Sequence, residues 1–195
     1  MEIKKYKLTE ETINVYGITL HRIEALKDFA NIKKGDKGGY VENESNLSQS
    51  GDCWIDDNAK VFGNAEVFAN AIVYGYARVC GYARVCGKAT VFGNAQVCDY
   101  ARIYGNAQVC EDAKLYGDAM VFGDARVHSN AQVYGYAWVY DKAEVYGSAE
   151  VCGDAMVYGN TEVYDNAKVF EEAKIYGNAK VSGDARVYGK AKICG

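Results

Sequence analysis

A six-residue pattern of apolar and polar positions runs through most of the chain. Alanine recurs every sixth residue from Ala59 to Ala191, at 23 positions in all, and only Thr161 departs from it. Two residues after each of these positions stands Val, Ile or Leu, with polar or aromatic residues on either side. This alternation has the period of two that a β-strand requires, and the Gly, Asn and Asp that follow it tolerate a tight turn. Each hexad therefore predicts a short strand and a bend.

Strands this short cannot pair within their own hexad. Each has to stack on the copy three hexads later, which predicts a triangular coil of 18 residues. Alanine near the corner and an aliphatic residue in mid-face would fill a thin interior that bulkier side chains could not share. With stacked strands about 4.8 Å apart, about eight to nine coils form a prism roughly 40 Å long. The predicted fold class is all-β, a single-stranded parallel β-helix.

The spacing of aliphatic and small residues also carries a family resemblance. Val61 and Ala65, and likewise Val121 and Ala125, place a small residue four positions after an aliphatic one. In this the chain resembles the hexapeptide-repeat proteins that fold as left-handed parallel β-helices, over roughly residues 39–195. The resemblance implies the left hand, because general crossover rules favour the opposite one. The stretch "GDKGGYVENESNLSQSGDCWIDDNA" resembles a narrower group, the YdcK-type bacterial and prophage proteins, which are labelled transferases on the strength of their fold.

Residues 1–38 lack the hexad pattern and are interpreted as a capping segment that precedes the β-helix of residues 39–195. The stretch "INVYGITLHRIEAL" predicts a β-hairpin that turns at Tyr16 and Gly17. A short helical turn around residues 25–30 is expected to follow. Solenoids need atypical terminal units to cover their ends, so this segment is predicted to close the N-terminal end of the prism.

Composition narrows the classes of function. A net charge of -4 and an isoelectric point near 5.3 argue against a dedicated nucleic-acid binder or a basic membrane-surface protein. No apolar run approaches the roughly 20 residues of a membrane span, and no signal peptide is expected. Seven cysteines, an odd number, are typical of free thiols in a reducing compartment. The expected location is the cytoplasm of a bacterium, or of a bacterial host if the protein is encoded by a phage.

Residues 18 apart share a face, and one of the three faces differs from the others. In three consecutive coils its normally polar position holds Met, Trp and Met, and aromatic residues lie beside them. An apolar patch of this size predicts an interface between copies of the chain, in a homodimer or homotrimer. The alternative is that the stacked aromatic residues only stabilise the sheet. The residues of this apolar patch are Met120, Phe122, Trp138, Tyr140, Met156 and Tyr158.

A basic segment lies in the otherwise acidic chain. Between residues 67 and 110, three arginines and Lys88 face a single acidic residue, Asp99. Tyr82 and Tyr100 occupy one corner of consecutive coils, beside two of the arginines. Guanidinium groups next to aromatic rings suit a phosphate-bearing ligand, nucleotide-like or CoA-like, whose base stacks on the rings. A solvated basic face is the alternative. The predicted ligand-binding residues are Arg78, Tyr82, Arg84, Tyr100 and Arg102.

Catalysis and metal binding find less support. The resemblance implies that a hexapeptide acyltransferase would use a histidine on a protruding loop as general base. This chain has only His21 and His128, and no loop interrupts the repeat. Cys80 and Cys98 are expected to stack as neighbours, but two thiolates make a poor zinc site. No metal and no cofactor are predicted, with acyl-CoA as the exception under an acyltransferase alternative.

The sequence therefore favours a non-catalytic, homo-oligomeric β-helix scaffold that binds a small anionic ligand or a protein partner. One alternative is an acyl-CoA-dependent acyltransferase whose site lies between subunits, with His128 as its base. A second alternative is a purely structural assembly protein. The resemblance extends to prophage proteins, which makes a phage-encoded role an option by analogy. Neither a membrane nor a nucleic acid is an expected partner.

Overall fold

A computed structural model describes residues 4–195 of the chain. It begins with an antiparallel hairpin of β1 (Tyr6–Val15) and β2 (Ile18–Ala25). The turn lies at Tyr16 and Gly17, where φ is 54° and 85°. Positive φ at both central residues is what the right-handed twist of a two-residue hairpin demands. The hairpin predicted from the sequence is confirmed, with its turn at the predicted residues.

The helical turn predicted around residues 25–30 is wrong. Phe29 and Ile32 exchange two backbone hydrogen bonds of 3.1 and 2.8 Å, which form an isolated antiparallel bridge. Ala30, between them, has φ of 43°, a left-handed conformation that no right-handed helix contains. Within residues 4–195, helical structure is confined to a short 3-10 helix at Glu44–Asn46, so no helix there is long and apolar enough to cross a membrane.

Strand β3 (Lys37–Val41) links the hairpin to the coil. It pairs antiparallel with β2, through Arg22 and Tyr40, and parallel with the strand that contains Val61. The hairpin is therefore a continuation of one sheet of the prism. Glu11 in β1 reinforces this junction, because its carboxylate accepts from Arg22 Nε at 2.7 Å and from Lys37 Nζ at 2.8 Å.

All the following strands are two residues long, except for two of three residues. They are β4 Trp54–Ile55, β5 Lys60–Val61, β6 Glu66–Val67, β7 Ile72–Val73, β8 Arg78–Val79, β9 Arg84–Val85, β10 Thr90–Val91, β11 Gln96–Val97, β12 Arg102–Ile103, β13 Gln108–Val109, β14 Lys114–Leu115, β15 Met120–Val121, β16 Arg126–Val127, β17 Gln132–Val133, β18 Trp138–Val139, β19 Glu144–Val145, β20 Glu150–Val151, β21 Met156–Val157, β22 Glu162–Val163, β23 Lys168–Val169, β24 Lys174–Tyr176, β25 Lys180–Val181, β26 Arg186–Val187 and β27 Lys192–Cys194.

These strands form three parallel sheets, one on each face of the prism. The first face holds every third strand from β5 to β26 and continues through β3 into the hairpin, for 11 strands in all. The second face runs from β6 to β27 and the third from β4 to β25, with eight strands each. Each strand from β4 to β27 pairs in register with residues 18 positions away, as Met120 does with Trp138. The predicted all-β parallel solenoid of 18-residue coils, about nine in number, is confirmed.

Alanine and valine fill the interior as the pattern predicts. The core contains the alanine and the aliphatic residue of nearly every hexad, fully buried from Ala59 to Ile175. At the end nearest the hairpin, Tyr6 and Trp54 cover this core. Their rings pack edge to face, with 6.5 Å between the ring centroids. The corners need residues with positive φ. At Gly87, where φ is 73°, a Cβ atom would lie only 2.8 Å from the backbone nitrogen of Gly105.

Candidate functional site

A groove of about 300 Å³ lies along the corner between the first and second faces. Two tyrosines come from consecutive turns of that corner, and two arginines come from the strands that follow, β9 and β12. The 18-residue register brings these residues together, because each turn of the coil repeats the same corner. The groove is lined by Asn64, Glu66, Tyr82, Arg84, Tyr100 and Arg102.

The two tyrosines form an aromatic wall of the groove. The rings of Tyr82 and Tyr100 are stacked with their centroids 5.0 Å apart and their planes 5° from parallel, and each side chain is 52% exposed. Their position follows from the corner geometry, since the preceding residues Gly81 and Asp99 have φ of 70° and 60°. The wall therefore offers an exposed, fixed aromatic surface on which a planar ligand group can stack.

The two arginines supply positive charge beside this wall. Arg84 and Arg102 are register partners on adjacent strands, so the guanidinium groups start from backbones about 4.8 Å apart. Arg84 is held by Glu66, with 3.1 Å between Nε and Oε2, and its guanidinium lies 5.0 Å from the centre of the Phe68 ring. Within residues 4–195, Arg102 takes part in no ion pair. The groove thus has one neutralised and one uncompensated cationic group.

Arg78, which the sequence grouped with these residues, lies elsewhere. It belongs to β8 on the first face, where its Nη1 donates to the hydroxyl of Tyr16 at 2.9 Å. Its guanidinium also lies 5.9 Å from the centre of the Tyr16 ring. Arg78 therefore ties the turn of the hairpin to the coil. The basic residues near Arg78 in the sequence indicated a role in ligand binding. Its contact with Tyr16 depends on how the hairpin packs against the first face, which the sequence does not show.

Two lining residues were missed by the sequence-based prediction. Asn64 and Glu66 lie one coil before Tyr82 and Arg84, at the same positions of the repeat. The 18-residue spacing was a signal that could have found both residues. The predicted site was defined by basic residues and tyrosines, so it omitted Glu66, whose charge has the opposite sign.

The apolar patch forms a continuous surface on the second face. Met120, Trp138 and Met156 pair in register on β15, β18 and β21. Phe122 stacks on Tyr140 with centroids 4.8 Å apart. Trp138 is 37% exposed, and the other members of the patch are half-buried by their neighbours.

The apolar patch and the groove adjoin each other. Arg102, the last residue of the groove, is the register partner of Met120, the first residue of the patch. Tyr136, which the sequence did not single out, lies at the corner just before Trp138 and is 63% exposed. It occupies the same position of the repeat as Tyr82 and Tyr100. The second face therefore combines a polar groove and an apolar surface along one line.

His128 lies on a different face from Trp138. Its ring stacks on Tyr146 on the third face, with centroids 5.1 Å apart, and its Nδ1 lies 3.2 Å from the hydroxyl of Ser129. Among the residues described, no carboxylate hydrogen-bonds to this imidazole. Within one chain, His128 therefore lacks the acidic partner that would orient a general base.

The described residues also include the side-chain types that bind metal ions. Across residues 4–195, no group of three or more His, Cys, Asp or Glu side chains is placed to hold a metal ion. The closest approach of two potential soft ligands is between Cys80 and Cys98, with their sulfur atoms 2.6 Å apart. The candidate functional sites are therefore the groove, the apolar patch and this pair of thiols.

Two comparisons with known proteins bear on these observations. The family model described as the YdcK β-solenoid repeat matches residues 83–99, 113–129 and 173–189. The first of these segments contains Arg84, and the second contains Met120 and His128. The chain is also similar to the Uncharacterized acetyltransferase YdcK of Escherichia coli (strain K12), with 36% identity over 70 residues.

The similarity to that relative is partial. The aligned region covers 31% of this chain and 22% of the relative, so the match spans less than a quarter of the relative's length. The similarity therefore concerns the repeats and the solenoid fold. The three matches to the repeat model and the parallel sheets of the structure support the same fold. The chain is thus a hexapeptide-repeat β-solenoid whose repeats are similar to those of the YdcK type.

Proposed function

We propose that this chain is a non-catalytic β-solenoid scaffold that binds a small anionic ligand, nucleotide-like or CoA-like, in the groove of the second face. One observation carries the proposal: two in-register arginines and two stacked tyrosines line a single groove of about 300 Å³. Seven free cysteines support a reducing compartment, such as the cytoplasm, as the place of this function.

The arginines would bind the phosphate groups. Guanidinium forks match phosphate oxygens with paired hydrogen bonds, which are about twice as strong as neutral ones. Arg102 is free to donate, and the Arg84–Glu66 ion pair is half-exposed on both sides. Exposed ion pairs contribute little to stability, at most about 1 kcal/mol, so a phosphate dianion can displace Glu66. The stacked tyrosines would then bind the base of the ligand on their exposed surface.

The size of the groove restricts how much of a ligand it can cover. Its volume of about 300 Å³ lies at the lower limit of small-molecule sites, which span roughly 300–1,000 Å³. The groove would therefore hold a diphosphate and part of a base, with the rest of the ligand extending along the surface. That extension can run towards the apolar patch, because Arg102 is paired with Met120.

The test is a calorimetric titration of CoA and of ADP into the wild type and into the double variant Arg84→Ala/Arg102→Ala. We expect the double variant to bind at least about 10-fold more weakly, because each lost charge-assisted hydrogen bond contributes about 1.5–3 kcal/mol. The matched control is Arg126→Ala. Arg126 occupies the same repeat position on the third face, is 51% exposed like Arg84, and pairs with Glu144 as Arg84 pairs with Glu66.

The control should bind as the wild type does. Wild-type protein that binds neither CoA nor ADP would overturn the proposal, as would equal affinity of the double variant. Binding by the wild type should also weaken as salt is added, since the groove acts through charge.

We further propose that the scaffold is homo-oligomeric and that a second copy of the chain packs on the apolar patch. The support is the continuity of Met120, Trp138 and Met156 across three strands and the 37% exposure of Trp138. A copy seated there would lie beside the open end of the groove and could cover the exposed part of a ligand. Self-association without binding of either ligand would instead favour a purely structural assembly.

A second candidate function comes from the name of the relative, which is that of an acetyltransferase. Under this alternative, CoA in the groove would be acetyl-CoA, and His128 of a neighbouring copy would be the general base. The arrangement requires the third face of one copy to meet the second face of the next. Transfer of acetyl groups from acetyl-CoA to amine or hydroxyl acceptors, lost in His128→Ala but kept in His21→Ala, would replace the scaffold proposal.

A further inference from the structure

Two cysteines stack on each other on the first face. Cys80 and Cys98 are the two cysteines that lie 18 residues apart, so they are the pair that stacks across consecutive coils. Their sulfur atoms are 2.6 Å apart and both side chains are half-buried. Both residues are therefore partly exposed to solvent. The remaining cysteines stack on residues of other types; Cys152, for example, lies between Tyr134 and Phe170 at the same position of the first face.

The backbone holds the two cysteines at a distance suited to a covalent link. They follow β8 and β11, and the amide of Cys80 donates to the carbonyl of Val97 at 2.9 Å. Strands so paired lie about 4.8 Å apart, within the 4.4–6.8 Å between Cα atoms that disulfides span. The sulfur atoms need to approach by only about 0.5 Å to reach the bond length of a disulfide. The spacing of the two strands therefore meets the distance requirement of a disulfide.

The electrostatic surroundings favour one reactive thiolate. The hydrogen bond shared by the two thiols lowers the pKa of Cys98 and raises that of Cys80. The guanidinium of Arg78 adds to the lowering at Cys98, whereas burial and the carboxylate of Asp99 oppose it. Because the thiolate is the nucleophilic form of cysteine, Cys98 is the member of the pair suited to react first.

We propose that Cys80 and Cys98 form a peroxide-responsive dithiol site that closes to a disulfide between two consecutive coils. The Cys98 thiolate attacks one oxygen of hydrogen peroxide, the O–O bond breaks, and the departing hydroxide takes up a proton to become water. The sulfenic acid so formed is attacked at sulfur by Cys80, which loses its proton, and the hydroxyl leaves as a second water. Two thiols and one peroxide thus give one disulfide and two waters, with two electrons passed to the peroxide.

The bond would join the two coils that carry the aromatic wall of the groove. Tyr82 and Tyr100 each follow one of the two cysteines by two residues. The dithiol site itself lies on the first face and needs no ligand in the groove, so its test is independent of ligand binding.

The test counts alkylatable thiols by intact mass. Reduced protein is exposed to hydrogen peroxide, quenched, denatured and treated with iodoacetamide. For the wild type, we expect the count to fall from seven to five, since one disulfide consumes two of the seven free cysteines. Peptide mapping should identify the link between Cys80 and Cys98, and dithiothreitol should restore all seven.

Two variants and a control separate this site from general oxidation. Cys98→Ser should keep its six remaining thiols. Cys80→Ser should form no disulfide within the chain and lose only the thiol of Cys98, which stops at the sulfenic acid. The control Cys152→Ser should fall from six thiols to four. Serine fits this position of the repeat, because Ser182 already occupies it, and circular dichroism would verify the fold.

Several results would overturn the proposal. One is a wild type that keeps all seven thiols, and another is a wild type that loses them no faster than Cys98→Ser. A third is a disulfide that links two chains on a non-reducing gel, and a fourth is oxidation that dithiothreitol does not reverse.

Discussion

At the scale of the residue, Thr161 shows how narrowly the interior of the coil is specified. It occupies an alanine position, is fully buried, and its Oγ1 has no hydrogen-bond partner among the described residues. A buried hydroxyl without a partner costs about 1–3 kcal/mol, judging from mutations in other proteins. The chain accommodates the volume of Thr161 but leaves its hydroxyl unsatisfied.

Replacing Thr161 should therefore stabilise the protein. We expect Thr161→Val, which keeps the shape and removes the hydroxyl, to raise the free energy of unfolding by about 1 kcal/mol. Thr161→Ala should gain less, because it also removes the packing contacts of a methyl group. Urea denaturation monitored by circular dichroism measures the change. The control is Thr90→Val, at an outward position of the third face, which should have little effect. A loss of stability in Thr161→Val would mean that the hydroxyl does find a partner.

Single residues also mark the limit of prediction from the sequence. Inward and outward positions, the stacking of Tyr82 on Tyr100 and the pairing of Met120 with Trp138 all follow from the repeat, because the register of the coil is constant. The contact between Arg78 and Tyr16 joins residues 62 positions apart. It depends on how the hairpin folds against the first face, which no periodicity encodes.

At the scale of the element, the hairpin is held by a cluster of charges around Glu11. This residue of β1 contacts Arg22 in β2 and Lys37 in β3, so one carboxylate links three strands. Hydrogen bonds from Lys37 and then from Arg22 hold the pKa of Glu11 below its ordinary value of 4.5. The sequence predicted the hairpin but not this cluster, because the pairing of β3 with β2 that brings the three residues together is not specified by the repeat.

The lowered pKa gives the hairpin a pH dependence. In the unfolded chain Glu11 takes up a proton near pH 4.5, and in the folded chain it does so only at lower pH. Its contribution is therefore fully present above pH 4.5 and lost as the pH falls through the lower, folded value. Hydrogen exchange of β1 and β2, corrected for intrinsic rates, should accelerate in that range.

A matched pair of variants isolates the carboxylate of Glu11. Glu11→Gln should speed the exchange of β1 and β2 at neutral pH and weaken its dependence on acid. Glu10→Gln, at the exposed neighbouring position, should behave as the wild type. If Glu11→Gln kept the full acid dependence, another carboxylate would be responsible.

At the scale of the whole molecule, the three faces share one interior and differ outside. The first and third faces carry mainly charged and amide side chains between the alanine and the aliphatic residue. The second face carries the groove and then the apolar patch. The 18-residue period places Trp138 on one face and His128 on another, and the structure shows the same separation. Whether a second copy covers the apolar patch depends on a partner surface, which the repeat pattern does not specify.

The self-association proposed for the second face is tested by placing a charge in the apolar patch. Light scattering coupled to size exclusion should give a dimer or trimer for the wild type and a monomer for Trp138→Lys, because a buried unpaired ammonium is strongly unfavourable at an interface. The control is Gln132→Lys, in the same position of the preceding hexad on the first face. It should leave the mass unchanged. Wild-type protein that is monomeric throughout would contradict the prediction.

The unbroken 18-residue register has a consequence for how such a chain can change in length. Every hexad from Ala59 on, except the one with Thr161, supplies an alanine and an aliphatic residue, so the interior would survive the loss of a single hexad. The outer surface would not, since removing the six residues 109–114 would move Met120 and all later residues to the preceding face. The groove and the apolar patch would then lie on different sides of an intact prism. Only the gain or loss of whole 18-residue coils keeps the groove and the apolar patch on one face. Insertions or deletions of six residues can therefore change the outer surface while the interior that stabilises the fold stays intact.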